Sequence, residues 1–520
     1  NIFSDFIVKL EEFDLAIHYA GDFLLYFNSD QTKEIKRLVK GKEIWDKFVA
    51  SNYKTAEPGL IFWSRMTKYS PSNYVGRPII TTNPCIVGDS LVSTEDGLEK
   101  IEDLVGKEIR IATDNRVPIQ VINNDGQTVL MNQMQDSITF NSSPRIWCSG
   151  IRLIYKLKTR MGYEITATED HKVMTSNGFK ELRNLTKEDK ILIQKGEGGF
   201  NKDKKIPIDI KFNPVNHHSY NYKFPEEWSK ELGQVLGWTI GDGFITDKRL
   251  GLIFENSEMN IKENIKTYMD SIYGKQGNIQ DHDSTKHLIY PSKFIAEFLG
   301  KLGVKKCLPQ DKVVPEKIFT ATKETVLGFL QALFTADGTI GIDKKKGNYY
   351  IRLTSKSEKL IKEVQLLLLN LGILSRIYNR SRKPENNFPY LTVKGEYKTY
   401  YSDGKLWELH LSKGSARRFL EEIGFIGDKH KEKITEFLKH EQYKEEFYDC
   451  VKSIEFVGEE KVYDLSEPHT HSFIANGIVV HNCAEISLED GGACNLSAIN
   501  LSRFVDNGYT ENAKVNWELL

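Results

Sequence analysis

The chain has 520 residues, 40% of them hydrophobic and 28% charged, with 15 prolines, which excludes a collagen-like or wholly disordered polymer and leaves length for three or four domains. No run approaches the ~18 apolar residues of a membrane helix, and Asp5, Glu11, Glu12 and Asp14 interrupt the first apolar pattern, so neither a signal peptide nor an anchor is expected. The net charge of −1 hides a local excess, because residues 341–420 hold 17 Lys and Arg against seven Asp and Glu.

The chain opens on Asn1 rather than Met and reads as a fragment. Leu10, Phe13, Ile17 and Ala20, then Ile35, Leu38, Trp45 and Phe48, have helical spacing and predict a helical, globular segment over 1–84. At Cys85 the texture changes. Short β runs follow, among them SLVST, KIEDL, EIRIAT, IRLIYKLKTR, EITAT and KVMTS, separated by turns up to about residue 200. Residues 201–225, with Pro207, Pro214 and Pro225, read as a linker. Helices return in EWSKELGQVLGWTIGDGF and KETVLGFLQALFTADGTI. Each ends in Asp-Gly and a β-like run, which makes an internal repeat 95 residues apart, Asp242 to Asp337. Residues 446–482 turn β-like again. The six cysteines form no CxxC pair and suit a reducing, cytoplasmic setting.

Three pieces form one ordered set: CIVGDSLVSTEDG from Cys85, TATEDH ending at His171, and VYDLSEPHTHSFIANGIVVHN followed by Cys483. Singly each is weak. Their joint order resembles the splicing blocks of inteins over 85–482. The resemblance implies an all-β Hint domain that cuts itself out. A thiol at Cys85 can take the Pro84 acyl group from nitrogen to sulfur, His171 can protonate the departing nitrogen, and Thr168 can donate to the oxyanion. Asp464 stands where such proteins keep an acid assisting both cysteines. Cys483 would accept the acyl group. Asn482 would cyclise on its own carbonyl, with His471 and His481 polarising that carbonyl.

The repeated pieces VLGWTIGDG (235–243) and LQALFTADG (330–338) resemble the paired motifs of LAGLIDADG homing endonucleases. Gly237/Gly241 and Ala332/Ala336 recur four apart, so two helices can cross closely and bring Asp242 and Asp337 together. The resemblance implies an inserted α+β two-repeat domain in which Asp242 and Asp337 bind Mg²⁺, assisted by Lys312 of KVVP. Segment 354–377 resembles the closing helix of that family. The basic block, with Tyr349, Tyr350, Tyr390 and Tyr401, then reads as a surface for double-stranded DNA at the intein-free gene junction.

Joining the flanks gives RPIITTNP|CAEISLEDGGACNLSAINL, which resembles the large catalytic chain of ribonucleotide reductases. The resemblance implies fragments of an α/β reductase barrel, with Cys483 as the radical cysteine, Glu485 as base, Asn83 orienting a ribonucleotide substrate and Cys494 as reductant. It leans towards adenosylcobalamin as the radical source. The expected division is a host flank at 1–84, a splicing domain at 85–215 and 436–482, an endonuclease domain at 216–435 and a host flank at 483–520. A cleaving-only Hint protein, a chain whose nuclease has decayed to DNA binding, and a non-enzymatic DNA-binding or scaffold protein are the competing readings.

Overall fold

The computed structural model describes residues 85–482 apart from 123–127, 132–136, 144–145, 210–221, 283, 346, 384, 392–396, 403, 441–444 and 468, with the flanking strands 22–28, 34–40, 505–506 and 514–515. The chain divides into two compact units: residues 1–83 with 485–520, and residues 84–484. In the first unit β1 (Asp22–Asn28) pairs antiparallel with β2 (Glu34–Lys40). This corrects the helical expectation at Ile35 and Leu38. The stretch DFLLYFN is rich in aromatic residues that favour a pleated surface, and the pairing places Phe27 opposite Ile35 and Leu24 opposite Leu38. Leu10, Phe13, Ile17, Ala20, Trp45 and Phe48 lie outside the described residues. So do Asn83, Cys483, Glu485 and Cys494.

The second unit begins all-β. Its strands are β3 (Ile86–Val87), β4 (Leu91–Thr94), β5 (Gly97–Lys100), β6 (Ile109–Asp114), β7 (Ile119–Ile122), β8 (Thr128–Met131), β9 (Ile138–Ser143), β10 (Ile146–Thr159), β11 (Glu164–Ala167), β12 (Lys172–Thr175), β13 (Gly178–Glu181) and β14 (Lys190–Leu192). The KIEDL stretch departs from its expected strand, since Ile101–Leu104 is a 3-10 turn that buries Ile101 and Leu104 while Glu102 and Asp103 face water.

An α+β region follows. It contains α1 (Lys230–Ile240), β15 (Gly243–Thr246), β16 (Arg249–Glu255), α2 (Met259–Tyr273), β17 (Asn278–Asp281), β18 (Thr285–Tyr290), α3 (Lys293–Lys301), α4 (Lys323–Asp337), β19 (Gly338–Asp343), β20 (Asn348–Ser355), α5 (Glu358–Asn370), β21 (Arg376–Asn379), β22 (Glu385–Leu391), β23 (Tyr397–Ser402), β24 (Trp407–Ser412), α6 (Lys413–Glu422) and α7 (Lys431–Leu438). The chain then returns to the first sheet as β25 (Tyr448–Leu465), β26 (Ser472–Ala475) and β27 (Ile478–His481), and the far flank adds a small hairpin, β28 (Val505–Asp506) with β29 (Lys514–Val515).

The large sheet runs β10-β11-β3-β25-β14-β12-β27-β26-β4-β6-β9. Strands from both ends of the sequence therefore interleave, and β3 lies between β11 and β25. Its core gathers Ile86, Val92, Ile165, Val173, Phe473 and Val480. The inserted region repeats a helix followed by a four-stranded antiparallel sheet, β15-β16-β18-β17 and then β19-β20-β24-β21. Helix α1 starts on a Ser229 cap whose hydroxyl accepts from Leu232 N at 3.1 Å. Small residues let α1 and α4 touch backbone to backbone. A Cβ on Gly233 or Gly237 would sit 2.2 Å from the Thr325 or Phe329 carbonyl oxygen, and one on Gly328 would meet Lys230 at 2.2 Å.

Insert and sheet share a wall. Helix α5 sends Leu369 into the core of the large sheet. Lys362 pairs with Glu164 at 3.0 Å, Gln365 Nε2 donates to Met161 O at 3.1 Å, and Asn370 Nδ2 donates to Gly199 O at 2.8 Å. Residues 201–209 are also no free linker, because Ile206 is buried in the core of the insert beside Trp228, and Trp228 N donates to Lys204 O.

Candidate functional site

Cys85 sits where three strands meet, fully buried. Its amide donates to Thr168 Oγ1 at 3.0 Å, and its carbonyl accepts from Thr168 N at 2.9 Å. The Thr168 hydroxyl thus engages the nitrogen side of the junction. Val462 and Tyr463 of β25 pair with Val87 and Ile86 of β3, which brings the next β25 residue, buried Asp464, beside the thiol. Burial first, and then the Asp464 charge, push the thiol well above its ordinary value, so it is protonated at neutral pH. Opposing that shift, the Ser149 hydroxyl faces the sulfur from the irregularity in β10 between Cys148 and Gly150.

The other end of the segment lies close by. Val173 pairs with Val480, so buried His171, just before β12, approaches His481 at the end of β27. The His471 and His481 rings are 6.5 Å apart. Burial, then the charges of Lys172, His171 and His471, lower His481 to about 3, and its imidazole is neutral. Asn482 is buried, its amide donates to His471 O at 3.0 Å, and its Nδ2 donates to Glu467 O at 3.2 Å. His471 holds a left-handed backbone, φ 50°. Asp464 and His481 therefore lie in strands of one sheet, and Cys85, Thr168, His171, His471 and Asn482 flank the ends of its strands.

The second constellation forms where α1 and α4 end. A Cβ on Gly241 would lie 2.6 Å from the Ala336 Cβ and 3.6 Å from an Asp337 oxygen, which brings Asp242 and Asp337 together. Burial, then the Asp242 charge, raise Asp337 to about 6; burial, then the Glu258 charge, raise Asp242. Lys312 and Lys429 oppose both shifts. Lys312 Nζ donates to Gly241 O at 2.7 Å, and Lys429 Nζ donates to Thr335 O at 2.5 Å and to Glu258 at 2.6 Å. Each helix end thus carries one lysine. Among the described residues no group of three or more His, Cys, Asp or Glu forms a closed metal cage. Two part-buried carboxylates that repel each other still fit a divalent cation completed by water and phosphate oxygens.

Within the basic block, Arg352 and Arg380 both pair with Glu408, and Tyr350 stacks on His410 at 4.4 Å. The Tyr349 hydroxyl bonds His440. Part of the local charge excess is neutralised internally. The side chains of Tyr390 and Tyr401 lie outside the described residues.

A family model described as the intein splicing domain matches residues 92–482. The chain belongs to that family. The chain is 26% identical to the ribonucleoside-diphosphate reductase NrdEB subunit alpha of Bacillus subtilis over 94% of this chain and 43% of that protein. It is 25% identical to the replicative DNA helicase DnaB of Synechocystis over 82% of this chain and 53% of that protein. The chain spans about half, or less, of the length of these relatives. Among solved structures, a DnaB intein from Synechocystis aligns over 77% of this chain and 99% of its own, with 12% identity and a TM-score of 0.23. I-DmoI in complex with DNA and Ca aligns over 37% and 88%, with 16% identity and a TM-score of 0.27.

Sequence reading of this intein missed Ser149, Glu467, Glu258 and Lys429. No spacing signals them. Ser149 depends on a strand irregularity, and Lys429 arrives from a segment 92 residues beyond Asp337.

Proposed function

We propose that the chain is a precursor that excises residues 85–482 by protein splicing and joins its flanks. The carrying observation is the Cys85 environment. The nucleophile's own amide nitrogen is held by Thr168, while its thiol faces Asp464. In the first step a Cys85 Sγ–carbonyl bond forms, the Pro84–Cys85 amide breaks, and the thiol proton ends on the freed amine. His171 serves the nitrogen and Asp464 takes up the thiol proton in transit. Cys483 then receives the acyl group by thiol exchange. Cyclisation of Asn482 cuts the far junction, with His471 and the neutral imidazole of His481 stabilising the carbonyl oxygen and passing the proton. A sulfur-to-nitrogen shift completes the new peptide bond. One gel tests this. Splicing yields a 398-residue product (85–482) with joined flanks, cleavage alone leaves them separate, and a scaffold stays at full length.

We propose in addition that the insert is a DNA homing endonuclease, on the strength of Asp242 and Asp337 meeting beside Lys312 and Lys429. Asp242 and Asp337 would hold Mg²⁺, which when bound supplies activation of water and stabilisation of the departing oxygen. The lysines orient phosphate. The two antiparallel sheets face a major groove. The same geometry without turnover would be a DNA-binding insert, and cutting of an intein-free junction decides between the two.

The joined flanks we propose to be part of a ribonucleotide reductase core, with Asn83, Cys483, Glu485 and Cys494 in the roles given above. Similarity to the Bacillus subtilis reductase over 94% of this chain supports the reading. Adenosylcobalamin stays a proposal drawn from the flank sequence alone.

A further inference from the structure

This inference rests on the splicing reading and concerns its third step. Glu467 is fully buried, in the turn that leads from β25 to β26. Its carboxylate accepts from His469 N at 2.9 Å, from Thr470 N at 2.7 Å and from Thr470 Oγ1 at 2.7 Å, all inside the same turn. A fourth donor, Asn141 Nδ2 at 3.1 Å, comes from β9 on a different part of the sheet. The Glu467 backbone carbonyl accepts from Asn482 Nδ2 at 3.2 Å. Thr470 Oγ1 also bonds Ser472 Oγ at 2.7 Å, and Ser472 stands opposite His481 in the β26–β27 ladder.

We infer that Glu467 is a positioning residue for asparagine cyclisation: its side chain fixes the turn so that its main-chain carbonyl selects the nitrogen end of the Asn482 amide. A carbonyl oxygen can only accept, so it turns the NH₂ group toward itself and fixes the side-chain torsion. Cyclisation forms a bond between Nδ2 and the Asn482 carbonyl carbon and breaks the peptide bond to Cys483. One proton leaves Nδ2 and one arrives on the departing amine, so the step balances without an oxidant or co-reactant. A neutral amide is a weak nucleophile, and misplacement by ~1 Å costs about 10²-fold in such a step. The carboxylate touches no reacting atom. It holds the geometry from behind, and Asn141 ties that geometry to the sheet rather than to a lone turn.

The test uses the full chain carrying Glu467→Ala, Glu467→Gln or Thr470→Val, with two readouts. Thiol-induced release at Cys85 reports the first step, and release at Asn482 with its succinimide mass reports the third. We expect Glu467→Ala to keep thiol-induced release within about twofold while slowing release at Asn482 at least about 10-fold, with branched intermediate accumulating. Thr470→Val removes two of the turn's bonds and is expected to slow the same step by a smaller factor. Glu467→Gln, which cannot accept at both oxygens, falls between them. Unchanged release at Asn482 in a folded Glu467→Ala protein overturns the inference, as does a parallel fall of both readouts in all three variants. If the wild-type chain itself releases at neither junction, the splicing reading fails instead.

Discussion

At the scale of single residues, the proposed splicing uses two nucleophiles. Cys85→Ala is expected to abolish thioester formation and ligation. Asn482→Ala should stop intein release and still permit thiol-induced cleavage at Cys85; ligated flanks from Asn482→Ala at the normal rate would refute the assignment. The aspartates make a second prediction, through charge. Asp337 has its folded value raised to about 6 against an ordinary 3.8, so the folded protein binds the extra proton. Its contribution favours the fold at acid pH and is lost as pH rises from about 4 through about 6. At neutral pH the ionised Asp337 beside Asp242 is therefore expected to destabilise the helix ends unless a cation binds. Asp337→Asn should raise Tm at pH 7.5 in chelator. Added Mg²⁺ should raise Tm of the wild type but not of the variant. Equal Mg²⁺ responses, read by calorimetry, would remove Asp337 from the metal site.

At the scale of elements, the legible and the hidden parts of the structure separate by cause. The repeat of helix, Asp-Gly and strand was readable because small residues recur along the contact between the two helices: Gly233 and Gly237 face backbone atoms of α4, and Gly241 faces Ala336. The splicing strands were readable from alternation and turn residues, as in β10, where Leu157 is buried between less buried lysines. Hairpin β1–β2 was not, because Ile35 and Leu38 fit a helical period and their pairing with β1 is a tertiary choice. Nor was the seat of α5, since amphipathicity shows that a helix buries a face without saying against what. Gly477 has φ +76°, and a Cβ there would lie 2.3 Å from Leu369 Cδ2. Gly477→Ala is expected to cost roughly 1–3 kcal/mol, and Leu369→Ala roughly 2–5 kcal/mol, by thermal or denaturant melting. Both should slow release at Asn482, because Gly477 turns the chain into β27. Wild-type splicing from a melted-down Leu369→Ala protein would show that α5 is only a neighbour.

At the scale of the whole molecule, the insert and the sheet share a support, and the chemistries proposed for them are separate. Mg²⁺-dependent double-strand cutting of DNA spanning the intein-free junction is expected, and Asp242→Asn or Asp337→Asn should end it while splicing continues. Absence of cutting by the wild type in Mg²⁺ or Mn²⁺ would favour the DNA-binding reading. The shared wall formed by α5 has a further consequence, for inheritance. A host that needs its joined protein selects against any loss of Leu369, Gln365 or Asn370, since these hold the splicing sheet as well as the insert. Selection on joining would then shelter the core of the proposed endonuclease together with the sheet. Point changes at Asp242 or Asp337 escape that protection. In populations carrying such a gene, the cutting activity should vanish by substitution at the helix ends long before the inserted region is deleted.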